Sequence, residues 1–468
     1  MKSVLIVGAG FSGTLLAIHL ICNNVDLHVT LIEKRARFGP GLAYSTNNDA
    51  HLLNVPAGKM SAFATAPGHF LDWLRDPKFG ALPQAAPHSF VSRRLFGRYV
   101  EHLLEHEANS HRNRLEAIRG EVVRIRPNRG RAVVTLADGS RIDTDRVVLA
   151  LGNFPPSDPE VEHQELYSSP RYRRDPWHPG ALRNLDPDAP VLLIGSGLTM
   201  VDIVLSLLEQ EHTGKIHSIS RHGLIPRHHA QSVPLKPPEF DSHSITTRAL
   251  LQRVRDRIEE APDETSGWRS IVDSLRPITQ ELWRKASPLE RRRFHRHLRP
   301  WWDVHRHRVP PAIGERIVRA VQAGQLVFHA GRIQRFDLSR GSVIVTFRSA
   351  ARDESSRIEV ARVINCSGPA TEYQKINEPL VAQLIREGIA RPDPLRLGLD
   401  VAHDLRVIGG DGNASELVYA VGPPTRGALW EITAVPDLRA QAESLARQIA
   451  SELSADNAAG LPGEFRAS

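Results

Sequence analysis

Twice along this 468-residue chain an apolar strand runs into a glycine-rich turn, an apolar helix and a second strand, and that repeat constrains the fold more than any other feature. The first copy is Ser3 to Val7, then Gly8-Ala9-Gly10-Phe11-Ser12-Gly13, a helical pattern from Thr14 to Leu20, and a strand from His28 to Ile32 ending at Glu33. In such a turn Gly8 makes the tight bend, Gly10 lets the backbone approach a pyrophosphate, and Gly13 lets the helix lie close to the strand. The helix N-terminus then faces the phosphates, and Glu33 accepts hydrogen bonds from a ribose diol. A glycine motif alone is weak evidence, but strand, helix, second strand and acid at this spacing make it specific.

The second copy is Val191 to Ile194, Gly195-Ser196-Gly197-Leu198-Thr199-Met200, an apolar helix, and a strand from Lys215 to Ser220. Met200 takes the place of the third glycine, so this helix is expected to sit differently on its strand. Ser220-Arg221-His222 stands where Glu33 stood. An acid there would repel a 2′-phosphate, whereas Arg221 pairs with one and Ser220 donates to it. NADPH is therefore expected ahead of NADH, against the plainer reading of Arg221 as a solvated loop residue.

Each copy is followed downstream by a return strand and a small-residue turn, reaching Gly152 in the first and Gly368 in the second. The expected fold class is α/β, a two-dinucleotide-binding-domain flavoprotein. Its FAD domain covers 1–160 and 362–468, and an NAD(P) domain at 185–361 is inserted in it. A helical insertion at 234–324 interrupts the second domain.

Composition fits a soluble globular chain, 41% apolar and 24% charged. The net charge of +7 is a small excess of 60 basic over 53 acidic residues, which permits nucleic-acid binding without indicating it. Two cysteines, Cys22 and Cys366, exclude a disulfide framework and a CxxC dithiol, and Cys366 beside Gly368 reads as structural. No metal site is expected. No apolar run approaches the roughly 20 residues of a membrane helix. The opening strand leaves no room for a signal peptide, so a cytoplasmic protein is expected, and the oligomeric state stays open.

The layout resembles the FAD/NAD(P) flavoproteins related to the class B monooxygenases. More narrowly, Gly39-Pro40-Gly41-Leu42-Ala43-Tyr44-Ser45, His51 to Phe63, Phe96-Gly97-Arg98-Tyr99-Val100 and Val418 to Thr433 resemble a bacterial FAD/NAD(P)-binding family that includes a flavin-dependent urate hydroxylase and aspartate N-monooxygenases. The resemblance covers nearly the whole chain. It implies an FAD-dependent, NAD(P)H-using monooxygenase that forms a flavin peroxide and transfers one atom of molecular oxygen to a small anionic substrate. Urate is the first candidate and aspartate, by N-hydroxylation, the second; a flavin-binding reductase or redox sensor without oxygen transfer is the alternative. The resemblance also places Asn54 beside the flavin and nicotinamide as a catalytic hydrogen-bonding amide, set against a turn Asn near Pro56. Gly422, Thr425, Arg426 and Glu431 would close over the pyrophosphate and the pyrimidine edge of the flavin, with Trp430 walling the ring or filling core.

Outside the repeat, apolar residues at helical spacing predict helices over 246–261 and 268–286, the latter bent at Pro277. Ser287-Pro288-Leu289-Glu290 predicts a helix start with Glu290 reaching back to the cap. The arginine-rich run from Arg291 to Arg308 follows. A nucleic-acid surface and a His305/His307 metal site are the weaker readings. The favoured one is a solvated face with some arginines turned inward to attract the NADP phosphate or an anionic substrate.

Overall fold

A computed structural model describes residues 1–23, 26–230, 232–240, 246–260, 267–350 and 354–459. They fall into two compact units. The first comprises Met1–Asn47, Val55–Asn153 and the chain from Thr371 onward; the second comprises Asn48–Asn54 and Phe154–Ala370.

The first unit is built on a six-stranded sheet in the order Arg406–Ile408, Ala414–Ala420, Arg146–Leu149, Lys2–Val7, Leu27–Glu33, Leu115–Arg119. All neighbours are parallel except the antiparallel edge pair Arg406–Ile408 and Ala414–Ala420. Val4 to Val7 are buried, as an apolar strand covered on both faces requires. The helix Phe11–Cys22 lies on this sheet with ten of its twelve residues buried, and the long C-terminal helix Val435–Ala459 packs against it. A three-stranded antiparallel sheet, Val122–Asn128, Arg131–Leu136 and Arg141–Thr144, completes the unit.

In the second unit seven strands run in the order Ser355–Val360, Val343–Ser349, Leu326–Leu338, Ile216–Ser220, Val191–Ile194, Arg362–Asn365, Tyr172–Arg173. The five from Leu326–Leu338 to Tyr172–Arg173 pair in parallel, and the remaining two add an antiparallel ribbon. Helix Leu198–Glu209 follows the second glycine turn. Residues 48–54 join this unit because they are pinned to that helix: Asn48 donates to Ser206 Oγ (3.2 Å), and His51 Nε2 lies 3.0 Å from the Asp202 carbonyl and 2.9 Å from Ser206 Oγ. Residues 154–160 and 362–370 also fold with the second unit, so its boundaries lie outside 185–361 at both ends.

The helical insertion is shorter than 234–324. Helix Pro311–Gln322 turns Ile313, Ile317 and Ala320 into the same core as Val191, Leu193, Val201 and Val204, making it the crossover helix that leads into the parallel strand Leu326–Leu338. The insertion proper is Thr247–Glu259, Gly267–Ser274, a turn at Arg276–Ile278 where Pro277 bends the path, Thr279–Lys285, Pro288–Arg293, a π-helical turn Phe294–Leu298, and Arg299–Arg306. The predicted end of the first helix at Ala261 lies outside the described residues.

Candidate functional site

In the first unit the glycine turn is tied to its neighbours by backbone bonds. Gly8 donates to the Ile32 carbonyl (2.8 Å), and Gly39 donates to the Ala9 carbonyl (2.7 Å). Gly13 has the sharpest requirement: a β-carbon there would sit 2.0 Å from the Gly8 carbonyl oxygen. Gly10 is approached by Gly41, whose Cα would lie 3.3 Å from a β-carbon at position 10, so Gly39-Pro40-Gly41 closes over the turn. Gly10 caps helix Phe11–Cys22 without a side-chain hydrogen bond, and the first-turn amides lack intrahelical acceptors. Glu33, at the end of its strand, accepts from Ala9 N–H and Arg35 N–H, both at 2.9 Å. Each carboxylate oxygen keeps a further lone pair for a diol.

Gly152 follows the return strand with φ +66°. Gly422, φ +77°, packs on Ser12, and a β-carbon there would meet Ser12 Oγ at 2.7 Å. Thr425 is fully buried; it donates to the Gly422 carbonyl (2.8 Å) and accepts from Gln441 Nε2 (3.0 Å), while Gln441 Oε1 takes the Gly422 N–H (2.8 Å). Its hydroxyl thus braces the last glycine turn from within, a job assigned to it only once Gln441 is seen facing it. Arg426 lies over the Trp430 ring at 5.1 Å. Trp430 and Glu431 are buried, Glu431 with φ +65°.

In the second unit Gly195 has φ +103°, and a β-carbon on it would meet the Cys366 carbonyl oxygen at 2.7 Å. Gly197 differs: its φ is −83°, and among the described residues, its two chain neighbours aside, no atom lies within 4 Å of a β-carbon built there. Neither backbone nor packing demands glycine at 197, so the space beside the uncapped start of Leu198–Glu209 suits close approach of a ligand. Thr199 is half-buried in the first turn of that helix. Met200 is fully buried in the core, which separates this helix start from its counterpart at Gly13. Ser220 Oγ accepts from Gly223 N–H (3.0 Å) and lies 2.9 Å from Ser196 Oγ. Arg221 is exposed and bonds to no described residue. Gly368 closes the return strand with φ +95°.

Asn54 belongs to the second unit, where its main-chain carbonyl lies 2.9 Å from His229 Nε2. Burial pushes the His229 pKa down to about 4 against the opposing bond to Asn54, so the ring is neutral with its proton on Nε2. Nothing in the local sequence marks His51 or His229 as supports of this segment; their partners lie more than 150 residues away.

The geometry is that of two nucleotide-binding turns. Residues 5–154 match a family model described as FAD-NAD(P)-binding. Over nearly its whole length the chain also resembles solved structures. An ornithine N-hydroxylase from Kutzneria sp. 744 matches at 17% identity and a TM-score of 0.66, covering 97% of this chain and all of that one. L-lysine 6-monooxygenase from Pseudomonas syringae matches at 15% identity and a TM-score of 0.63, covering 97% and 99%. The FAD-bound cadaverine monooxygenase of desferrioxamine biosynthesis from Erwinia amylovora matches at 13% identity and a TM-score of 0.64, covering 95% and 94%. At such identities the likeness establishes the fold, a two-Rossmann α/β architecture. No curated protein sequence matches the chain.

The arginine run is largely committed within the insertion. Arg308, 2% exposed, holds Asp273 through two bonds of 2.7 and 3.1 Å and donates to the His305 carbonyl (2.8 Å). Arg291 donates to the carbonyls of Trp283, Ala286 and Arg284. Arg293 pairs with Glu290, and Arg299 meets Asp303 and His295. The arginines turned inward are therefore answered by protein groups rather than held open for an anion. Glu290 does not reach back to its own cap: its carboxylate takes Thr247 N–H at 2.7 Å and so ties Thr247–Glu259 to Pro288–Arg293. Ser287 alone caps, accepting from Glu290 N–H at 3.3 Å. Among the described residues no cluster of three metal-ligating side chains occurs, and no helix is long and apolar enough to cross a membrane.

Proposed function

We propose that the chain is an FAD-dependent, NAD(P)H-using monooxygenase that N-hydroxylates a small primary amine or amino acid. The observation that carries this reading is the presence in one chain of two glycine turns of the nucleotide-binding kind flanked by opposite charge, Glu33 in the first and Arg221 in the second. FAD suits the first, where Glu33 can take a ribose diol while the helix amides meet the pyrophosphate. NADPH suits the second, where Gly197 leaves room and Arg221 bonds to no described residue. Bound flavin supplies hydride acceptance and oxygen activation. In the net reaction NADPH provides two electrons, one oxygen atom goes to the amine nitrogen, and the other leaves as water.

Asn54 is the candidate catalytic amide, its backbone fixed by neutral His229 and its side chain left to bond cofactor or substrate. The choice of amine is supported by the amine and amino-acid hydroxylases that share the fold. It is also supported by the internal pairing of the arginines, which removes the chief reason to expect an anion. A dithiol-relay reductase is disfavoured: burial pushes the Cys366 thiol far up, and burial together with Glu107 raises Cys22 to about 11. The test incubates the FAD-loaded protein with NADPH, oxygen and, separately, ornithine, lysine, cadaverine, aspartate or urate, scoring hydroxylated product against peroxide. Coupled N-hydroxylation of one amine is expected, and Asn54→Ala is expected to divert most reducing equivalents to peroxide. Coupling with urate alone, or with none of the five, contradicts the proposal.

A further inference from the structure

The helical insertion has no part in the nucleotide-binding repeat, yet its last helix, Arg299–Arg306, comes back to the end of the strand Ile216–Ser220. There the rings of His222 and Trp301 lie 6.4 Å apart, inclined at 38°. Trp301 keeps 48% of its surface exposed, more than any other tryptophan among the described residues, and it is the third residue after the π-helical turn Phe294–Leu298. Such turns displace the residues after them relative to a regular helix and are frequent at functional sites. Two positions before His222 is Ser220; one before it is Arg221, exposed and bonded to no described residue. Elsewhere in the insertion the indoles already carry a guanidinium, Trp268 being flanked by Arg269 and Arg308, and Trp283 by Arg291.

We infer that Trp301 is the adenine-stacking residue of the second nucleotide site, with Arg221 beside it on the 2′-phosphate, so that the insertion supplies half of the specificity pocket for NADPH. This rests on the reading of the second turn as the NAD(P)H site. An adenine ring has the flat apolar face that an exposed indole stacks on, and a phosphate monoester has the oxygens that a free guanidinium binds in pairs. The two residues divide the work: Trp301 serves any adenine nucleotide, whereas Arg221 serves only those with a 2′-phosphate.

The experiment is calorimetric titration of the FAD-loaded full chain with NADP⁺, NAD⁺ and adenosine 2′,5′-bisphosphate. Trp301→Ala is expected to weaken all three by a similar factor, on the order of 5- to 100-fold, and Trp301→Phe to restore most of it. Arg221→Gln is expected to weaken NADP⁺ and the bisphosphate by about 10-fold or more and to leave NAD⁺ unchanged. Trp301 is exposed, so its replacement is expected to leave the fold intact, checked by an unchanged circular dichroism spectrum and thermal midpoint. NADP⁺ binding within twofold of wild type in Trp301→Ala overturns the inference while leaving the function standing. A wild-type protein that binds FAD but neither nicotinamide nucleotide overturns both.

Discussion

Gly13 and Met200 hold the same place in two related turns and answer opposite demands. At 13 the helix lies against the turn so closely that a methyl group would stand 2.0 Å from the Gly8 carbonyl oxygen. At 200 a full side chain is buried among strand and helix residues. Gly13→Ala is therefore expected to cost about 1–3 kcal/mol and to release FAD, read as a lower thermal midpoint and loss of flavin absorbance on gel filtration. Met200→Gly fails for the reverse reason, an emptied core site costing about 2–5 kcal/mol. A Gly13→Ala protein that keeps FAD and melts like wild type would contradict the packing described. Gly8, Gly10, Gly13 and Glu33 are readable in the sequence because the strand–turn–helix–strand motif itself fixes what each must do. Thr425 is not, since its partner Gln441 sits one helix later, a buried polar residue beside the apolar stripe Leu438, Ala442, Leu445 and Ile449.

Among the elements, the helices of the insertion are joined by buried polar ties as well as by the buried apolar residues Ile271, Val272, Leu275, Trp283 and Val304. Arg308 is almost wholly buried, and Asp273 on helix Gly267–Ser274 is its carboxylate partner. Removing that partner leaves a buried cation without its counter-charge, held only by the His305 carbonyl among the bonds described above. Asp273→Ala is expected to lower stability by about 1–3 kcal/mol, an estimate reduced because the Asp273 side chain is 41% exposed. Faster hydrogen exchange confined to 267–308 would accompany it, while replacing exposed Arg292 and Arg296 would change little. Equal effects from the two sets would show that the run is a solvated face after all. The helices themselves are legible from apolar spacing, Pro277 and the Ser287 cap. Their ties are not, because Arg308 to Asp273 and Glu290 to Thr247 span 35 and 43 residues. Nor does periodicity distinguish Pro311–Gln322 from the insertion; only its packing in the sheet core assigns it to the repeat.

For the whole molecule, partly buried histidines set a pH dependence, His217 and His229 most strongly. Burial pushes His217 down to about 4, with His329 and Lys215 adding to it, and burial pushes His229 to the same value. An unfolded histidine titrates near 6.5. Between about 4 and 6.5 the unfolded chain therefore binds more protons than the folded one, and stability must fall as pH falls through that window. A thermal midpoint that declines from pH 6.5 to 4, with the decline reduced in His217→Gln and His229→Gln, is the expected result. A flat profile would mean that these rings are charged in the folded protein. The architecture at this scale is read from the repeated strand–glycine–helix pattern, whereas residues 48–54 cannot be assigned to the second unit without the contacts of Asn48 and His51.

Hydride transfer from a nicotinamide site to a separate flavin site in the same chain is the step on which the proposed function rests. Anaerobic addition of NADPH to the FAD-loaded protein tests it most directly, followed in the flavin absorbance. Bleaching of the oxidised flavin band at one equivalent of NADPH, with recovery on admitting oxygen, is the result predicted. A protein that holds FAD yet leaves the band unchanged with both NADPH and NADH would show that no hydride passes to the flavin.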